Sequence, residues 1–334
     1  MSSTLWSSGE TPWWPRRPAP PRIRVIIDND FAGDPDDLYQ LAHHLLSPSV
    51  EVPLISCSRL PDGDPLLGGR RDSTEAAEEI VAELLEVMRL DFRGELRRGS
   101  PDRLQSRTEP HRSPAAAAII AEALRTDTDL PLFLVLGGGL TELASAWLLE
   151  PRIAARLTVV WIGGCLPAGV ATADESAQVE YNFSIDPVAA QVVFNDSELS
   201  LWQVPREVYR QCLVSEAELL RSASGPLGRY LHDSLDRIRP WAAEHVTGGT
   251  SESYALGDSP LVLLTALQSF FEPDPSSSDY LTLPCPALDD RGRPAPTPEP
   301  GRTSRVYTRV DTRLMLADLF TKMDLFDTWL ARQA

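Results

Sequence analysis

Five short apolar runs, separated by segments of helical periodicity, set the strongest limit on how this chain can fold. They read "RVIID", "VEVPLISCS", "LPLFLVLGGG", "RLTVVWIGGC" and "ELSLWQV". Between the first two, residues 35–46 place Leu38, Leu41, Ala42 and Leu45 on one helical face, and residues 74–87 and 115–124 repeat the pattern. Buried strands alternating with helices predict an α/β fold, an open and mostly parallel central sheet covered by helices on both faces. Further on, "DPVAAQVVFN" reads as a helix, residues 206–245 as largely helical with breaks at Gly225-Pro226 and Pro240, "SRVYTRVD" as a strand, and "TRLMLADLFTKMDLFDTWL" (312–330) as a terminal amphipathic helix. Residues 284–300 are a Pro-rich surface loop. No repeat or linker divides the chain, so residues 22–334 are expected to form one domain, preceded by an arm, residues 1–21, that is disordered or draped on the surface.

Composition narrows the partners. With 31 basic against 48 acidic residues and a net charge of -17, neither nucleic acid nor an anionic membrane is an expected partner. No run approaches the roughly 20 apolar residues of a membrane span. The first residues lack the apolar centre of a signal peptide, and Cys57, Cys165, Cys212 and Cys285 have neither metal-ligand nor disulfide-framework spacing. Both features fit a reducing cytoplasm. Lys322 is the sole lysine, which argues against any mechanism built on a catalytic lysine.

The stretch "DNDFAGDPDD" puts five carboxylates into residues 28–37, directly after the first strand. Like charges about 4 Å apart repel by roughly 1 to 4 kcal/mol at water-like to intermediate dielectric, so the turn needs compensation from water, a helix N-terminus or a cation. Asp34 as N-cap before Pro35, with Asp36 in the first turn, would use two of the five. Capping leaves Asp28, Asp30 and Asp37 unexplained. A hard cation such as Ca²⁺, which takes 6 to 8 oxygen ligands, suits them.

"DNDFAGDPDDLYQLA" resembles the Asp-rich signature of the inosine-uridine preferring nucleoside hydrolases, D-x-D-P-G-x-D-D-x-x-A. Three further segments are similar to that family's motifs in the same order: "LGGGLTELA" (136–144), "VEYNFSIDPVAA" (179–190) and "GDSPLVLLTAL" (257–267). The resemblance implies a Rossmann-like nucleoside hydrolase fold, a Ca²⁺ cofactor, a nucleoside or riboside substrate, and assembly as a homodimer or homotetramer. Carried across, it makes Asp30 both a metal ligand and the base beside the attacking water. Asp37, the Gly137 carbonyl and Asp258 complete the metal site, and Asp36, Glu180 and Asn182 hold the ribose. Three departures stand out. The acidic turn is two residues longer, Glu142 replaces an asparagine, and Gly257 stands where the family has a histidine proposed to protonate the leaving base. Tyr230, His232 and His245 are the candidate replacements for that acid. His43 and His44, on the far side of the first helix, receive no role.

Two rival readings stay open at this point. Asp28-Asn29-Asp30 and Gly257-Asp258-Ser259 imitate a haloacid-dehalogenase-type phosphatase, although that mechanism wants a lysine ahead of the last motif. The other rival is a nucleoside- or ribose-binding homologue that has lost catalysis.

Overall fold

Residues of the apolar runs point alternately to two sides of a sheet, and each side carries its own core. The computed structural model describes residues 5–14, 20–166, 170, 179–239, 243–244, 252–269, 277–295 and 301–333. Strands β1 (Ile23–Asn29), β2 (Val50–Cys57), β3 (Glu95–Arg98), β4 (Leu132–Leu136), β5 (Leu157–Ile162), β6 (Ser200–Val204), β7 (Asp279–Pro284) and β8 (Thr303–Arg309) form one eight-stranded sheet ordered β7-β8-β6-β5-β4-β1-β2-β3. All neighbours are parallel except the edge pair β7–β8. Val25, Ile27 and Val135 pack with Leu38 and Leu41 of helix α1 (Asp36–Leu45), Val81 of α2 (Ser73–Val87) and Leu319 of the terminal helix Thr312–Ala331. Ile26, Leu134 and Val159, one position out of phase, pack with Ile119 of α3 (Pro114–Ala123) and Leu143 of α4 (Thr141–Leu149). This is the expected two-faced α/β sheet. Among the described residues no helix is long and apolar enough to cross a membrane.

The order of the strands fixes where a ligand can go. From β1 the chain steps outward to β2 and β3, then returns to lay β4 on the other flank of β1. A crevice therefore opens beyond the carboxyl ends of β1 and β4, where strand order reverses. Asp28, Asn29 and Asp30 lie at one lip and Gly137 at the other, its N–H donating to the Asp28 carbonyl at 3.2 Å.

One part of the chain departs from expectation. Residues 206–239 are not continuously helical between the named breaks: Leu213–Ser215 forms a short strand paired antiparallel with Ser253–Ala255, which carries the chain toward Asp258. Pro240 lies outside the described residues. The described N-terminal residues 5–14 are fastened by aromatic contact, with Trp6 only 3% and Trp13 only 6% exposed. Both rings meet Phe326 of the terminal helix edge-on, and the Trp6 indole N–H donates to the Met88 carbonyl at 2.7 Å.

Candidate active site

The longer acidic turn is accommodated by burying its extra bulk. Phe31 is fully buried and Ala32 nearly so, while Gly33 closes the turn with its N–H on the Asp30 carbonyl at 2.7 Å. Pro35 takes the cap position of α1, with no side-chain cap. The Asp34 carboxylate that was expected to cap the helix reaches the Asp36 N–H at 3.5 Å and otherwise accepts from the Tyr254 hydroxyl, because Pro35 shifts the helix start by one residue. Asp36 and Asp37 thus begin α1 with their side chains directed back into the crevice.

There they meet the far end of the chain. Asp36, Asp37 and Asp258 each offer a carboxylate oxygen, the three lying within 4.8 Å of one another. Asp37 also interacts with Asp30, so the four carboxyls are contiguous. Asp258 does not cap the turn Pro260–Leu263 with its side chain, the bland role open to it; Ser259 occupies that position and the Asp258 carboxylate faces the cluster. The Asp36 carboxylate accepts the Asp258 N–H at 3.1 Å. Burial, and after it the negative neighbours, push Asp30, Asp36 and Asp37 well above the ordinary carboxylate range; burial raises Asp258 too. Asp37 Oδ2 is buried without a hydrogen-bond partner among the described residues. A buried acceptor left orphaned among like charges is costly, and this set of hard oxygen donors fits a hard metal ion.

Glycine is required opposite the cluster. A Cβ on Gly137 would stand 1.7 Å from Asp258 Oδ2, and one on Gly138 would stand 2.8 Å from Asp30 Oδ1. The Gly137 carbonyl, an expected metal ligand, accepts from Asn182 Nδ2 at 2.5 Å, and the same amide donates to the Ile162 carbonyl at 2.8 Å. Glu180 caps the helix Tyr181–Ile185: its carboxylate accepts from the N–H groups of Asn182, Phe183 and Gly164 and from the Tyr209 hydroxyl, at 2.7 to 3.1 Å. Those four donors fill the carboxylate's roughly four acceptor sites.

The three candidate proton donors are placed differently. Tyr230 donates to Glu83 at 3.2 Å and His232 lies 3.4 Å from Glu216, and neither makes a hydrogen bond with the acidic cluster. His245 lies outside the described residues. Sequence reasoning missed several residues that the fold brings in. Tyr209 packs its ring where a Gly257 side chain would begin, 3.3 Å from the position of a Cβ. Tyr181 donates to Asp64 at 2.7 Å, and Asp64 acts electrostatically on Asp30. Arg237, whose Nε and Nη2 have no hydrogen-bond partner among the described residues, turns its guanidinium toward the acidic side, where it interacts with Asp37 and Asp34. Only Tyr181 carried a signal, lying inside the quoted "EYN". Glu142 is buried under the loops, holding Ser100 N–H at 2.7 Å and the Ser113 hydroxyl.

Comparison with known proteins agrees with this geometry. Residues 69–319 match the family model described as inosine-uridine preferring nucleoside hydrolase, a span that begins after the lengthened acidic turn. The inosine-uridine preferring nucleoside hydrolase of Leishmania major is 41% identical over 83 residues, a stretch covering 25% of this chain and 25% of that protein. Among solved structures, a plant nucleoside hydrolase superposes with TM-score 0.66 at 20% identity over 91% of this chain and 99% of its own. An inosine-guanosine nucleoside hydrolase superposes with TM-score 0.67 at 18% identity, covering 90% and 98%. These two establish the shared fold. With most of its length matched by the family model, the chain belongs to the inosine-uridine preferring nucleoside hydrolase family.

Proposed function

We propose that the protein hydrolyses the N-glycosidic bond of a ribonucleoside or related N-riboside, releasing base and ribose. The observation that carries this reading is the convergence of Asp30, Asp36, Asp37 and Asp258, with an orphaned buried oxygen on Asp37, at the crevice where strand order reverses. Asp30, Asp37, Asp258 and the Gly137 carbonyl would hold Ca²⁺. When bound, that ion supplies the charge that neutralises the carboxylates and makes a neighbouring water more acidic. Asp30 accepts a proton from the water that adds to C1′ as the C1′–N bond breaks, and the departing base needs a proton at its nitrogen. The negative rim formed by Asp36 and Asp30 stabilises the positive charge that develops on the sugar. Asp36 would accept from ribose hydroxyls, with Asn182 on the sugar side. A ribose hydroxyl reaches Glu180 by displacing Tyr209, the one side-chain hydroxyl among its four donors.

With Gly257 in place of a histidine, cleavage is expected to depend steeply on leaving-group quality. The test is ribose release from purine, pyrimidine, nicotinamide and p-nitrophenyl ribosides, each with Ca²⁺ and with chelator. Chelator-sensitive release that is fastest for nicotinamide and p-nitrophenyl ribosides supports the reading. If an acid is recruited from Tyr230, His232 or His245, its removal slows inosine far more than p-nitrophenyl riboside. Efficient inosine cleavage unaffected by those substitutions contradicts the missing-acid argument.

A second reading, a nucleoside-binding protein without turnover, is favoured by the occupancy of Glu180 by four protein donors. Thermal stabilisation by ribose or nucleoside with no release from any riboside would select it. The phosphatase reading is set aside with the family assignment, and Lys322 is buried against Asp318 and Ser47. Cytoplasmic residence and homodimeric or homotetrameric assembly belong to the same proposal. Sedimentation of the purified protein tests the second.

A further inference from the structure

Beneath the acidic cluster runs a buried line of polar groups that neither the resemblance nor the proposed reaction uses. Asn29 lies between the carboxylates and α1, with its Nδ2 at 3.0 Å from Asp258 Oδ2, 3.3 Å from Asp37 Oδ1 and 3.0 Å from Gln40 Oε1. Its Oδ1 accepts the Gly137 N–H at 2.6 Å. Gln40 Nε2 meets His44 Nδ1, one helical turn on. His44 Nε2 lies 2.9 Å from the Thr265 hydroxyl, which donates to the Leu261 carbonyl at 2.6 Å. Asn29, Gln40 and His44 are fully buried and Thr265 is 3% exposed.

The two ends of this line settle its direction. Gly137 N–H can only donate and Leu261 C=O can only accept. Asn29 must therefore turn its oxygen to Gly137 and its amide hydrogens to Gln40 and the carboxylates. Gln40 accepts with Oε1, so its NH₂ faces His44, whose Nδ1 must be a bare acceptor. The ring is then neutral with its hydrogen on Nε2, donating to Thr265, whose own hydrogen goes to Leu261. Reversing Gln40 alone would set its NH₂ against that of Asn29 and demand a hydrogen on Nδ1, turning Thr265 away from Leu261. One arrangement satisfies every group, and buried polar groups rarely tolerate less. Burial holds His44 neutral, as the arrangement needs.

We propose that Gln40, His44 and Thr265 are positioning residues for the metal site: through this one-way chain they fix the amide of Asn29, which holds Asp37 and Asp258 in register with Gly137. The chain ties together the three segments that build the site, β1 with α1, the Gly137 turn, and the turn that carries Asp258. The proposal deepens the metal-dependent reading above and rests on it for the identity of the ion. Groups of this kind behind metal ligands typically change affinity by about 10- to 100-fold when removed.

The test has two arms on the full-length protein. The first needs no ion or substrate: two-dimensional ¹H–¹⁵N spectra of histidine-labelled protein, with His44→Asn used to assign the His44 signals. The expected result is a neutral ring protonated on Nε2, and an Nδ1–H or a charged ring overturns the chain. The second is calorimetric titration with Ca²⁺. Gln40→Leu and His44→Leu are expected to weaken binding about 10- to 100-fold. His44→Asn, whose Oδ1 can replace Nδ1 as acceptor for Gln40, is expected to stay within about threefold of wild type, by the same reasoning. Variants that melt earlier yet bind Ca²⁺ as tightly as wild type would show a purely structural role and overturn the proposal. Wild type that binds no Ca²⁺ while showing the Nε2–H ring would count against the metal reading and leave the chain supported.

Discussion

At the scale of single residues, the cost of burying like charges controls the site. Asp37 is 3% exposed, with one oxygen unpaired and its pKa raised by burial and then by Asp258 and Asp30. Replacing it with asparagine removes a charge while keeping the shape. Asp37→Asn is therefore expected to raise the stability of the Ca²⁺-free protein by roughly 1 kcal/mol at neutral pH and to abolish the rise in melting temperature on Ca²⁺ addition. Differential scanning fluorimetry with and without chelator reads both, and an unchanged Ca²⁺ response would remove Asp37 from the ligand set. The carboxylates were legible in the sequence because five of them stand in one short turn with too few bland roles to absorb them. Asn29, Gln40, His44, Tyr209 and Arg237 were not legible. Each is an ordinary residue for its local position and acquires meaning only when distant segments meet, as when Thr265 comes to His44 from 221 positions along the chain.

At the scale of elements, two attachments to the terminal helix make checkable claims. Trp13 packs edge-on against Phe326 at 5.1 Å and against Trp6 at 4.7 Å. Trp13→Ala is expected to cost about 3 to 5 kcal/mol, the usual range for a buried aromatic, measurable by urea unfolding; a loss below about 1 kcal/mol would mean that the segment contributes no packing. The second attachment joins α1 to the same helix, where His43 Nε2 lies 2.8 Å from Asp318, which also pairs with Lys322. Burial lowers the His43 pKa from 6.5 to about 4, against the opposing pull of Asp318. In that window the unfolded chain binds a proton that the folded ring refuses, so stability falls as pH drops from 6.5 to about 4. The loss approaches about 3 kcal/mol at 1.36 kcal/mol per unit. Asp318, itself lowered, adds a loss of the same sign at still lower pH. His43→Gln keeps an amide donor for Asp318 and is expected to flatten the profile between pH 7 and 4; an equally steep profile would place the proton elsewhere. Central strands and long helices were legible from their period. The edge strands β3 and β7 were not, since their side chains are largely exposed and they lack an apolar run.

At the scale of the whole molecule, sheet order converts a list of motifs into a site. The return of the chain from β3 to β4 opens the crevice, and Asp258 arrives in it from the opposite end of the chain by way of the strand pair Leu213–Ser215 and Ser253–Ala255. The order of the four motifs was legible in the sequence. The rearranged partners of Glu180 and Asn182 were not, because the sequence does not reveal that Gly164 and Tyr209 deliver donors to Glu180. The central claim is that this convergence hydrolyses an N-riboside with Asp30 as base. Ribose release from p-nitrophenyl riboside, which needs no leaving-group acid, by wild type and Asp30→Asn in Ca²⁺ tests it most directly. Release by wild type, falling by about 10²- to 10⁴-fold or more in the variant, is the predicted result; no release by wild type, or equal rates in the two, would contradict it.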